Sequence, residues 1–494
     1  MPLPALLAIL ALTLAAQPDR PEPDPPRRMT AAQIEAAGIE AVEAGDLEKA
    51  EAYFKAHAEQ DPTTFTPWYN LAAVASLRGD TDAAEQHLAK ALALGFSDIR
   101  VLRADPHLEA LRATPFFGEI ERRWPDLLAA RRNADLAVAK QLVPRNAEAR
   151  TLDRWKIELV SAHDEIATDQ SEAELALIAD WVTENLFTSL RPADAFEEDP
   201  WAMVVLPDRA EFARWAITVF GPGVRDGLSS VGGAYDHNRR RLVAQDLGAT
   251  LRHELVHVLH WRDMSRLNQQ HAAWIQEGLA SLVEDYDLTD EDRTGGFTPV
   301  PSWRTNIVKR LNNARRLTPL EELAGTSMQR LTTSRPLAQY AQSRAVMLFL
   351  LDNGKLTEFY RLYTETYDRD PTGLHALRTA LGHETQGDLE QAYQAWITSL
   401  PMVPETGTDL PATLGIEIEN GDGDGVRVTG LPAGARQRTG LSVGSFITAI
   451  NNRPTRDLHE LIRVLADYAP GDTITLAHRR GRIHRTTEVT LQPR

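Results

Sequence analysis

The sequence predicts a multidomain chain in three parts: α-helical repeats, an α+β domain, and a β-rich module. Three observations carry that reading. The length of 494 residues amounts to roughly three domains at ~150 residues each. Self-comparison finds a period of 34 near the N-terminus, where Gly45-Asp46 recurs as Gly79-Asp80. Beyond residue 405 the composition turns to β-branched residues, glycines and short turns, the signature of strands.

The chain begins with an apolar or small-residue run from Leu3 to Ala16. It is too short to cross a bilayer, which needs about 20 residues. Residues 1–17 therefore read as a secretory signal peptide, although no Lys or Arg precedes the apolar stretch, and residues 18–29 as a Pro-rich linker. A periplasmic or secreted location in a bacterium is expected, with no transmembrane segment in the mature chain. The formal charge of −17 argues against a nucleic-acid partner, whose footprint is a basic stripe. The sequence has no cysteine. That excludes disulfides, thiol nucleophiles, iron–sulfur clusters and thiolate zinc sites, and leaves His, Asp and Glu as metal ligands.

Residues 30–118 hold the period. Trp68, Leu71, Ala72, Ala84, Leu88 and Ala91 resemble the spacing of a tetratricopeptide repeat, and the segment resembles two such units plus a capping stretch. Small residues at Ala72 and Ala84 let antiparallel helices approach, Trp68 and Leu88 fill the seam, and Gly79 supplies the turn. The pair is expected either to dock on the next domain or to offer a groove to a protein partner. With 7 basic and 14 acidic residues in this segment, an acidic partner is disfavoured. Residues 119–149 read as a helical connector.

The chemistry lies in residues 150–400. In "ATLRHELVHVLHW", His253, Glu254 and His257 form H-E-x-x-H. Residues four apart share a helix face, so both imidazoles reach one metal ion, while Glu254 stands beside the metal. Leu251, Leu255, Val258 and Leu259 supply the apolar side. Glu277 follows in a second helical pattern, "AAWIQEGLASLVEDY". Two histidines and a glutamate with a fourth position open suit catalytic zinc. Together the motifs resemble the gluzincins of the peptidase MA-like group, whose W-x-x-E-G-x-A helix carries the third ligand; Trp274, Glu277, Gly278 and Ala280 match it. The resemblance implies a zincin metallopeptidase domain with one Zn2+ on His253, His257 and Glu277. Ser281 stands where the thermolysin branch has Asp, which turns the resemblance towards the aminopeptidase N-like side. Glu284 and Asp285 read either as partners of the site or as a solvated helix face.

Upstream, "RWKIELVSAH", "WAMVVLP" and "VGGAYDHNRRRLVAQ" read as strands and a hairpin separated by amphipathic helices. In the family the strand before the zinc helix aligns extended substrate, and Gly232 and Gly233 would allow close approach. The aminopeptidase signature G-x-M-E-N is absent there, so exopeptidase specificity is not implied. Downstream, Tyr340 stands about where related peptidases place a tyrosine that binds the oxyanion; Tyr235 is the alternative. Arg344 reads as an assistant or a surface ion pair, His260 and His271 as structural or exposed, and Asp263 as a remote alternative ligand.

Residues 405–494 contain strands, one amphipathic helix near 457–468, and two closing strands. "TGLSVGSFITAINNRP", with Leu441, Ile447 and Ile450 around turns at Gly444 and Asn451-Asn452, resembles a PDZ domain of the bacterial protease-associated kind. The resemblance places a carboxylate-binding loop at Leu414, Gly415 and Ile416, where a partner's C-terminus would add a strand.

The expected function is an exported zinc metallopeptidase acting on a peptide or protein. Zinc would activate water, Glu254 would serve as general base, and Tyr340 would stabilise the oxyanion. The repeats and the PDZ-like module would select substrate or partner. The alternatives are a non-catalytic adaptor on an inactive peptidase fold, and a zinc hydrolase of a non-peptide amide or ester.

Overall fold

A computed structural model describes residues 29–144, 147–191, 201–225, 232–236, 240–288 and 296–494. The expected signal peptide and the linker up to residue 28 lie outside the described residues. The chain forms two compact units. One is built mainly from the chain up to Val138, the other from Ala139–Pro192, Met203–Tyr235 and Leu242–Arg494.

The first unit is helical. Its first four helices are Ala31–Glu43, Leu47–Gln60, Thr66–Leu77 and Thr81–Ala93. Thr30 and Gln33 form a capping box at the first, and Asp46 and Asp80 cap the second and fourth through the amides of Lys49 and Ala83, each satisfying an orphan helix donor. The turns between partners need a left-handed residue, which Gly45 and Gly79 supply at φ 75° and 77°. Ala50, Ala72, Ala84 and Leu88 are fully buried, as the 34-residue period requires. Gly38 lets the first two helices close up, since a Cβ there would lie 2.4 Å from the Phe54 ring. The same core continues through Leu102, Leu108, Leu111, Phe117, Ile120 and Trp124. A helix at Trp124–Gln141 then occupies most of the expected connector.

The second unit opens with a five-stranded sheet of β1 (Glu148–Leu152), β2 (Ile157–Ser161), β3 (Trp201–Val205), β4 (Gly233–Asp236) and β5 (Arg241–Ala244), in the order β1-β2-β3-β5-β4. β2 and β3 are buried throughout. β4 ends the described sheet, and Gln245 N donates to Gly232 O at its start. A 21-residue helix, Glu165–Asn185, joins this layer.

Three helices then build the site: the motif helix Ala249–Leu267, the ligand helix Ala273–Leu282 and the tyrosine helix Pro336–Asp352. The ligand helix is buried on every residue, so its burial comes from all sides rather than one stripe. It meets the tyrosine helix at Gly278, where a Cβ would lie 2.8 Å from Ser343 O; that contact explains the glycine in the motif. Between them, β6 (Tyr286–Leu288) and β7 (Phe297–Pro299) form a short ribbon, followed by the helix Trp303–Asn313.

The C-terminal part of this unit is a module with its own core, in which Leu441, Ile447 and Ile450 are fully buried. Its main sheet runs β14 (Ile483–Thr490), β13 (Thr473–Arg480), β11 (Phe446–Ile450), β10 (Val426–Gly430), β9 (Glu417–Asn420), with β12 (Arg453–Pro454) on β11. β8 (Ala412–Thr413) pairs with β15 (Gln492–Pro493) and closes its two ends together. The one amphipathic helix expected in this segment is Leu458–Leu465. Among the described residues no helix is long and apolar enough to cross a membrane.

Candidate metal centre

The motif helix starts without a side-chain cap at Gly248 and ends at Asn268 in the left-handed conformation. Its four-residue spacing sets His253 and His257 one turn apart, with the two Nε2 atoms 3.0 Å from each other. The ligand helix brings Glu277 Oε2 to 3.3 Å from His253 Nε2 and 3.4 Å from His257 Nε2. These residues are the one His/Cys/Asp/Glu group suited to a metal among the described residues. Zinc–ligand bonds of about 2.0–2.1 Å in a tetrahedron separate ligand atoms by roughly 3.3 Å, so the three donors fit that ion. Glu277 Oε2 is buried without a hydrogen-bond partner. A buried carboxylate oxygen left in that state is costly unless a cation completes it.

His253 is oriented from behind. Its Nδ1 lies 2.9 Å from Glu284 Oε1, leaving Nε2 to face Glu277. Glu284 is itself gripped by Arg304, whose Nε and Nη2 donate at 2.6 and 2.9 Å. Burial opposes the Glu284 charge, but Arg304 and His253 outweigh it and hold the carboxyl at about 2. Burial likewise opposes a charged His253, yet the neighbouring carboxylates of Glu277 and Glu284 lift its pKa to about 10. Glu277 is held below the usual carboxylate range by the two imidazoles, against its burial. The pocket therefore has a strong demand for positive charge beside these carboxylates.

Glu254 is buried and its Oε2 has no hydrogen-bond partner. Burial pushes its pKa up, towards the range useful to a general base. β4 passes directly over it, for a Cβ on Gly233 would lie 2.6 Å from the Glu254 side chain. A side chain at Gly233 would have to displace this carboxylate from its place. The Tyr340 ring stands 6.4 Å from that of His253, on the tyrosine helix. Burial first, and then the charges of Glu277 and Glu254, hold its hydroxyl well above its usual pKa, so it remains a proton donor.

A family model described as a protein of unknown function (DUF1570) matches residues 248–373. No curated protein matches the chain. Among solved structures, an aminopeptidase N family protein from Idiomarina loihiensis is similar at 15% identity, covering 71% of this chain and 67% of that one, with a TM-score of 0.28. That likeness is too low to carry an argument. The matched span does contain every residue described above except Gly233: His253, Glu254, His257, Glu277, Glu284, Arg304 and Tyr340.

The remaining candidates fall elsewhere. Asp263 does not join the cluster; it accepts from Ser189 Oγ at 2.5 Å and Tyr360 Oη at 2.7 Å. Arg344 is neither a surface ion pair nor a member of the cluster. It is fully buried and donates to Ser281 O and Val300 O at 2.8 and 2.6 Å, tying the ligand helix to the segment after β7. His260 and His271 are buried and paired at 2.7 Å. Of Tyr235 only the backbone is described.

Leu414, Gly415 and Ile416 lie just before β9, the end strand of the module's sheet. Gly415 has φ +65° and its N–H donates to Thr413 Oγ1 at 3.1 Å, so one of the three amides is already engaged. Arg438, which sequence reasoning missed, sits close by: its Nη2 would be 3.2 Å from a Gly415 Cβ.

Proposed function

We propose that the chain is a zinc-dependent hydrolase of peptide bonds. The observation that carries this reading is the convergence of His253 Nε2, His257 Nε2 and Glu277 Oε2 at 3.0–3.4 Å, with Glu254 buried beside them. These three residues would hold the ion, which when bound supplies Lewis acidity towards a carbonyl oxygen and lowers the pKa of water. Glu254 takes a proton from the attacking water and returns it to the leaving amine. Tyr340 donates its hydroxyl proton as a hydrogen bond to the developing oxyanion. β4, the terminal strand of the described sheet, offers its backbone to an extended substrate.

The helical hairpins in the first unit and the C-terminal module are proposed as tetratricopeptide-like and PDZ-like elements that recruit substrate or partner. An open strand at β9 with Arg438 nearby favours a peptide carboxylate at the module. The apolar run at Leu3–Ala16 supports export.

The test is metal analysis of the purified protein paired with a peptide-library cleavage profile for wild type and Glu254→Gln. About one zinc per chain, with cleavage that falls ~10²–10⁴-fold in the variant while zinc is retained, is the expected result. Stoichiometric zinc with no cleavage in any library would favour an adaptor or a non-peptide substrate. Full activity in Glu254→Gln would overturn the mechanism.

A further inference from the structure

The motif helix carries a buried arginine immediately before its first histidine. Arg252 is 1% exposed, and its Nη2 is shared between two acceptors. One is Glu284 O at 2.6 Å, the other Glu460 Oε1 of the C-terminal module at 2.8 Å. Its Nη1 donates to Glu174 Oε1 at 3.1 Å. Arg456 of the module completes the set, with Nη2 2.8 Å from Glu174 Oε2 and its backbone N–H donating to Glu460 Oε2 at 2.8 Å. Two cations and two carboxylates are thus buried together, half of them supplied by a segment more than 150 residues downstream in sequence.

The same module grips both flanks of the site. Ahead of the motif helix, Leu247 N donates to Gly423 O at 3.1 Å. Beyond the ligand helix, Arg463 Nη1 donates to Tyr286 O and to Asp287 at 2.8 and 2.7 Å, and Arg453 reaches Asp287 at 3.0 Å. The segment held in this way includes Glu284, whose carboxylate orients His253. A module serving only as a tethered recruiter has no need to bury charges against the motif helix.

We propose that Glu460 is a positioning residue for the metal centre, acting through the shared Arg252 nitrogen on the Glu284 backbone and so on His253. The module is then part of the metal site's frame, and its docking sets metal affinity. The proposal rests on the zinc reading above for its functional meaning, but the contacts it names can be tested without metal.

The experiment compares full-length wild type, Glu460→Gln, Arg252→Lys and Glu365→Gln. Zinc dissociation constants come from chelator competition, and hydrogen exchange is followed over 249–260 and 283–288. Arg252→Lys keeps the buried charge but loses the fork that joins Glu460 to Glu284, so it covers the case in which Glu460→Gln does not fold. Partners that orient metal-ligating residues are worth about 10–100-fold in metal affinity; one step further away, a weakening of about threefold to tenfold is expected in Glu460→Gln and Arg252→Lys, with faster exchange in both segments. Glu365→Gln, in an exposed pair with Arg361 away from the module, should change neither. Unchanged affinity and unchanged exchange in the folded variants overturn the proposal, even if thermal stability falls. If wild type binds no zinc, the hydrolase reading fails separately, and the exchange data alone decide this one: faster exchange in both segments supports it, and unchanged exchange rejects it.

Discussion

Glu284 shows what a single residue does here that its neighbours cannot. A metal-ligating imidazole must present one nitrogen and commit the other, and Glu284 takes His253 Nδ1 at 2.9 Å while Arg304 keeps that carboxylate charged. Replacing it with Gln keeps an acceptor for the imidazole but removes the charge. Zinc affinity should fall about tenfold, the lower end of the range for such partners, as read by chelator competition. An unchanged affinity would show that packing alone orients the ring. At this scale the sequence was legible where chemistry and helical period coincide: His253, Glu254 and His257 stand out by their spacing, and Glu277 by the resemblance of its helix, and the two histidines and Glu277 do come together. Glu284 was visible as a candidate because it stands two helical turns beyond Glu277, but the helix ends at Leu282, so its direction was not. Arg304 and Arg438 had no local signal, since each acts on a residue more than 15 positions away in sequence. Arg344 was misplaced for a related reason. A lone arginine on a helix normally reads as solvated, and the free carbonyls that bury this one are set by tertiary packing.

Between the motif and ligand helices the chain turns within a few residues, and a neutral histidine pair holds the corner. His271 Nδ1 lies 2.7 Å from His260 Nε2, and His271 Nε2 lies 2.9 Å from Gln269 Oε1. With His260 donating its Nε2–H to His271 Nδ1 and His271 donating its Nε2–H to Gln269 Oε1, the bond between the rings requires a neutral His271. Burial depresses the His271 pKa to about 3 and moves His260 in the same direction. The unfolded chain, with histidines near 6.5, therefore binds more protons below that pH, so stability is full above about 6.5 and declines as pH falls towards 3. Each buried histidine contributes about 1.4 kcal/mol per pH unit in that window. Urea titrations with chelator present should show the midpoint falling between pH 7 and pH 5, by about 2 kcal/mol from His271 alone, and His271→Gln should flatten the dependence. An equally steep fall in that variant would place the protons elsewhere. Elements of this kind were largely readable: the strands, the hairpin ahead of the motif helix and the 34-residue period all have a local pattern. The pairing that fixes the corner has none, because His260 and His271 carry no spacing that distinguishes a buried tether from an exposed side chain.

At the scale of the whole molecule, the C-terminal segment is where sequence and structure part most. Its 11 basic and 11 acidic residues sum to zero, a total that by itself points to recognition through backbone and apolar contacts. That total conceals a division. Arg456 and Glu460 are buried against Glu174 and Arg252 of the same compact unit, while Arg427 and Glu419 pair at the exposed surface. Net charge cannot separate these, since a buried pair and a solvated one sum alike. The physical consequences differ: an exposed pair is worth little, whereas stripping partners from buried charges costs roughly 3–5 kcal/mol. Removing residues 406–494 would retain Glu405 on Asn306 but leave Arg252 and Glu174 without the module's charges and uncover Trp303, on which His459 stacks. The shortened chain should therefore unfold at clearly lower denaturant, having lost about 3 kcal/mol or more, or fail to accumulate as soluble protein. A flexibly tethered module would come away with the midpoint of the remainder unchanged. That result would mean the buried charges contribute nothing to the stability of the second unit, and the ion network would then have to be read as a contact of convenience between two independently stable parts.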